Sequence, residues 1–122
     1  MRLHAPCVSA SESGDEYYQL YFGPEESEGE FEEKFDRFNF EVKGPYLLIQ
    51  RQFEMPDGGR CYVETDREGY SGHFRLRLME LSPARLSFQI LGRKLNNRVE
   101  VSFSLNARQF AEVRSVAEIV FG

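Results

Sequence analysis

Alternation of apolar and polar side chains runs through most of this chain, with breaks at Gly, Pro, Asn and Asp. From Glu16 to Phe22, Tyr18, Leu20 and Phe22 share one face, while Tyr17, Gln19 and Tyr21 share the other. Phe38, Phe40 and Val42 alternate with Asn39 and Glu41. In Tyr46–Glu54, Leu47, Ile49 and Arg51 fall on one side and Tyr46, Leu48, Gln50 and Gln52 on the other. A Pro56-Asp57-Gly58-Gly59 turn leads into Cys61–Asp66. Further runs follow: His73–Leu81, Arg85–Leu91 and Val99–Leu105. A two-residue period is the mark of half-buried strands, and Gly/Pro/Asn/Asp clusters between them mark reversals.

The period changes once. Asn106 with Gln109 three residues on reads as a helix N-cap with its capping box. Beyond it Phe110, Val113, Ala117, Val120 and Phe121 recur at helical spacing. The expected architecture is therefore α+β: six to eight antiparallel strands, curved or sandwich-like, with one amphipathic helix over residues 107–120 lying on the sheet. Residues 1–14 are weakly patterned. They fit either a short strand over Ala5–Ser11 or a frayed terminus.

With 122 residues the chain has the length of one domain and can bury about two-thirds of its extended surface. Its 11 Phe and 6 Tyr support strands. Two cysteines, Cys7 and Cys61, are too few for a disulfide framework, and neither a signal-peptide-like apolar run nor a membrane-length one is present. The expectation is a cytoplasmic chain with both thiols reduced.

Charge adds the first functional hint. Residues 12–36 hold ten acids against Lys34, a net of −9, so the remainder carries +4 of the overall −5. Generic nucleic-acid binding is disfavoured, since phosphates need Lys and Arg. The acidic loop at 23–33, with Glu25, Glu26, Glu28, Glu30, Glu32 and Glu33, is either a solvated segment or a steering surface for a basic protein. Tyr17 and Tyr21 adjoin it and have the chemistry of interface anchors.

Catalytic chemistry finds little support. His4 lies in the weakly patterned N-terminal stretch, His73 starts a strand with no Cys or acid at metal-ligand spacing, and no C-x-x-C is present. Glu64 and Asp66, two apart on one strand with Glu54 across a hairpin, form the one candidate carboxylate cluster for a cation or an acid/base pair. Such clusters are commonly solvated faces paired with arginines, here Arg51, Arg67, Arg75 or Arg77. No catalytic residue, cofactor or metal site is assigned.

Three stretches together resemble a known family: Gln50-Arg51 closing an aromatic-led strand, Tyr62-Val63-Glu64 after a Gly/Asp turn, and Ala117-Glu118-Ile119-Val120-Phe121 ending the helix. The likeness, over Phe38–Phe121, is to bacterial polymorphic-toxin immunity proteins, most like the immunity protein 10 family. It implies a non-enzymatic cytoplasmic protein that binds a cognate toxin domain and blocks it. Residues 1–37 lie outside it. Two other readings fit the same element order: a pleckstrin-homology-like barrel for a peptide or phosphoinositide, and a cup whose helix and curved sheet enclose a small apolar ligand.

Overall fold

The computed structural model describes residues 1–13, 17–24, 45–52 and 60–122. In these stretches there are nine strands: β1 (Arg2–His4), β2 (Cys7–Ser13), β3 (Tyr17–Gly23), β4 (Leu47–Gln52), β5 (Cys61–Thr65), β6 (Gly72–Phe74), β7 (Leu76–Leu81), β8 (Arg85–Ile90) and β9 (Arg98–Ser102). One helix, α1 (Ala107–Val120), ends the chain. The acidic segment and the expected Phe38–Val42 strand lie outside the described residues.

The strands form two sheets. One runs β2-β3-β4-β5-β6, antiparallel throughout; the other runs β1-β9-β8-β7. Their inward faces share one core. Leu20, Phe22, Leu47, Ile49 and Val63 from the five-stranded sheet, and Leu86, Phe88, Ile90 and Val101 from the four-stranded sheet, are fully buried. Each such side chain contributes about 1.5–3 kcal/mol by leaving water. Rings knit the layers: Phe22 stacks on Phe103 at 5.8 Å, and Phe88 meets Phe121 at 5.6 Å.

The expected α+β architecture of many strands and one terminal helix is what the chain adopts, with three differences in detail. The N-terminal stretch holds two strands, Arg2–His4 and Cys7–Ser13. The Met1 ammonium is tied down too, donating to the Arg98 carbonyl at 2.9 Å, and burial lowers its pKa. One pairing is parallel, β1 with β9, because β1 joins the second sheet's edge from a distant part of the chain. Finally, the expected His73–Leu81 strand is two strands. β6 pairs with β5 and β7 with β8, and the chain changes sheet at Arg75, whose carbonyl accepts from Leu91 N–H. Phe74, Leu76 and Leu78 all pack on the core, so their alternation continues unbroken across that junction.

Helix α1 begins where its sequence says. Asn106 Oδ1 accepts from Gln109 N–H at 2.8 Å, and Gln109 Oε1 accepts from Asn106 N–H at 3.1 Å. Its buried stripe is Val113, Ala117 and Val120, set against β3, β2 and β4. The last turn has no basic residue of its own. Arg51 on β4 supplies one: its Nη1 donates to the Ile119 carbonyl at 3.0 Å and to the Gly122 carbonyl. A cation is favourable there because helix C-terminal carbonyls carry partial negative charge. Cys61 Sγ adds a bond to the Val120 carbonyl at 3.4 Å.

Two predictions follow from this packing. Asn106→Ala removes one bond of the capping box and should cost about 1 kcal/mol, read as a lower urea midpoint with an unchanged slope. Burial pushes the Cys61 thiol up from 9.0 to about 11. At pH 8 that leaves about a hundredfold less thiolate than in the unfolded chain, and only thiolate reacts. Iodoacetamide should therefore spare Cys61 in the native protein and label it in urea, as peptide mass spectrometry would report.

Candidate functional site

Inward positions on β2–β6 are committed to the core, and the alternate positions form the sheet's other face. They are Ser9 and Ser11 on β2; Tyr17, Gln19 and Tyr21 on β3; Leu48, Gln50 and Gln52 on β4; Tyr62 and Glu64 on β5; and His73 on β6. The register sets them in rows. Ser9, Tyr21, Leu48 and Glu64 lie side by side across four strands, and Ser11, Gln19, Gln50, Tyr62 and His73 across five. Tyr17 stands opposite Gln52. Tyr17 and Tyr21 are thus brought to one face, two steps apart on a central strand.

Apart from Glu64, no outward side chain named here carries a formal charge. Glutamines link the centre: Gln50 Nε2 donates to Gln19 Oε1 at 3.2 Å, and Gln52 Nε2 to Gln50 Oε1 at 2.9 Å. Tyrosines are half-buried around them. Such a surface offers large amphipathic rings at low entropic cost beside adaptable polar groups, the chemistry of protein-recognition surfaces.

At one side of this face Tyr46, Leu48, Tyr62 and Glu64 converge. Tyr62 hydroxyl donates to Glu64 Oε1 at 2.9 Å. Leu48 is directly opposite Glu64, and Tyr46, which precedes β4, is one step diagonal to it. Burial first, and then the nearby carboxylates of Glu64 and Asp66, raise the Tyr46 pKa. Burial and the bond to Glu64 raise that of Tyr62. The Tyr62 ring also lies against His73, centroids 5.3 Å apart.

The candidate carboxylates Glu64 and Asp66 have different hydrogen-bond partners. β5 ends at Thr65, and Asp66 Oδ1 accepts instead from Tyr46 N–H at 3.1 Å and from Thr65 Oγ1 at 3.3 Å. Asp66 therefore serves the turn. The arginines expected beside these acids also have other roles: Arg51 holds the helix end, and Arg67 Nη2 reaches the Arg2 carbonyl at 3.4 Å. Glu54 lies outside the described residues, as do Glu25, Glu26, Glu28, Glu30, Glu32 and Glu33.

His4 is in β1, its Nδ1 2.9 Å from Ser102 Oγ. No group of three or more potential metal ligands occurs among the described residues. Cys7 and Cys61 are not joined.

The outer face of the four-stranded sheet differs in kind. Arg77, Arg98, Arg2 and Arg85 alternate with Glu80 and Glu100, and Arg2 Nε pairs with Glu100 Oε2 at 3.1 Å. An open polar cavity of about 270 Å³ lies there, lined by Arg2, Arg85, Glu100 and Ser102 with Leu3 and Val101. It reads as a solvated charged face. Between the sheets the described inward positions are buried side chains. No helix of the described residues is long and apolar enough to cross a membrane.

Sequence reading placed Tyr17 and Tyr21 on one strand face but missed Tyr46, Leu48, Tyr62 and Glu64 as their neighbours. Removing the Glu64 charge tests the geometry. In Glu64→Gln, phenolate formation at Tyr46 and Tyr62 no longer faces that carboxylate, so both should ionise at lower pH in a 295 nm titration. An unchanged titration would mean that Glu64 is not beside them. No protein-family model, curated protein or solved structure matches this chain.

Proposed function

We propose that this chain is a non-enzymatic binding protein that holds a protein partner on the outer face of its five-stranded sheet. The supporting observation is that face itself: Tyr17, Tyr21, Leu48, Gln50 and Tyr62 on one rigid surface with a single formal charge. Mounted on paired strands, these side chains are ordered before binding, which lowers the entropic cost of association.

The partner in this reading is a basic toxin domain, which the chain neutralises by occupying its working surface. Two features support that choice: the net charge of −5 with its acids gathered in residues 12–36, and the likeness to immunity proteins on Gln50-Arg51, Tyr62-Val63-Glu64 and the helix end. The acids would act at long range and the tyrosine face at contact. The site is then a cytoplasmic one, in the cell that makes the toxin.

The test is capture from the source cell, followed by growth rescue when the captured protein is expressed with this chain. Tyr17→Ala/Tyr21→Ala should weaken the complex at least a hundredfold, chiefly through faster dissociation, with an unchanged circular dichroism spectrum. Neutralising Glu25, Glu26, Glu28 and Glu30 to Gln should slow association at low salt and leave dissociation nearly unchanged. Wild-type affinity in the tyrosine variant would refute this face as the contact surface.

A further inference from the structure

Glu64 has an unusual setting for a surface acid. It is half-buried on a face whose other outward residues are neutral. Tyr62 hydroxyl holds one of its oxygens at 2.9 Å, Tyr46 is diagonal to it, and Leu48 stands opposite. A carboxylate offers about four acceptor sites and these neighbours use few of them. Among the described residues no cation pairs with it: the ion pairs there are Arg2–Glu100, Arg85–Glu80 and Arg108–Glu112.

We propose that Glu64, flanked by Tyr46 and Tyr62, is the seat for one arginine side chain of the protein partner. This rests on the reading of the tyrosine face as a protein-binding surface and names the group that the face selects. Three physical arguments carry it. A fixed, partly desolvated carboxylate attracts a cation more strongly than a solvated one, because water screens it less. The planar guanidinium matches a carboxylate with two parallel bonds, where an ammonium makes a point contact. Tyrosine rings on either side give that plane something to stack on. The tyrosine hydroxyls also orient the acid before the partner arrives, so little ordering is left for the binding step. The partner that fits is thus a protein with an arginine projecting from an otherwise uncharged patch, set within a basic surface.

The experiment uses the full chain and amide-resolved NMR, with Nα-acetyl-arginine amide as the probe. The expected result is saturable shifts at Tyr46, Tyr62 and Glu64. Nα-acetyl-citrulline amide, the same shape without the charge, should give none. Nα-acetyl-lysine amide should bind several-fold more weakly. In Glu64→Gln, which keeps an acceptor for Tyr62, arginine binding should fall at least tenfold.

Equal shifts with citrulline, undiminished binding in Glu64→Gln, or shifts confined to the acidic segment would each overturn the proposal. Lysine binding as tight as arginine would overturn the choice of guanidinium. Once a partner is captured, the two readings separate. A complex lost in Tyr17→Ala/Tyr21→Ala but retained in Glu64→Gln leaves the binding face standing and removes the arginine seat. Loss in both supports the seat.

Discussion

One constraint organises the described structure: every second residue of its strands belongs to a single core. Leu20 and Phe22, Leu47 and Ile49, Leu86 and Phe88, and Val99 and Val101 all point into the same interior from two sheets. Slipping any strand by one residue would exchange its entire inward set for its outward one. Register is therefore fixed by burial, and the outward faces inherit the same precision. The chain passes between the sheets at two places, near Ala5 and at Arg75. Each is anchored by a backbone bond on the side of the four-stranded sheet, Ala5 N–H to the Ser102 carbonyl and Leu91 N–H to the Arg75 carbonyl.

The helix depends on the sheet for more than its apolar stripe. Its N-terminus is capped by its own sequence, but its C-terminus borrows a guanidinium from Arg51 and a thiol from Cys61. Both donors sit on the strands, β4 and β5, that present Leu48, Gln50, Tyr62 and Glu64 on their other side. The fold thus braces from within the two strands whose outer surface is the candidate site. A recognition face gains from such backing, because side chains on a stiff scaffold lose less freedom on binding.

How much of this is legible in the sequence follows from the range of the interactions. Local periodicity carried the strands well: the Tyr17–Phe22 and Val99–Val101 alternations and the Asn106–Gln109 box are all present in the fold. The point at which the chain crosses between sheets was not legible, because Phe74, Leu76 and Leu78 face one core on both sides of the Arg75 junction. A three-residue parallel strand such as Arg2–His4 has too short a pattern to register, and its partner lies nearly a hundred positions away. The hydrogen bond that Glu64 makes is not legible from its spacing to Asp66. Its hydrogen-bond partner along the strand is Tyr62, two positions back, while Asp66, beyond the strand's end, holds the backbone of Tyr46. Strand ends decide which of two alternating residues share a face, and they are the least visible feature of a sequence.

The two charge features of the chain then take different physical roles. Ten acids spread over residues 12–36 create a field that extends on the order of a Debye length, ~8–10 Å in physiological salt. Such a field raises encounter rates with any basic surface and distinguishes poorly among them. Discrimination needs contact, and a neutral face provides it by penalising every wrong charge that must be desolvated against it. A single oriented carboxylate within that face reverses the penalty at one point only. Long-range attraction to basic proteins in general, and short-range acceptance of one cation at one position, are separable properties. In the proposed reading this chain places them on separate residues, with the contact residues on paired strands where the core fixes their spacing.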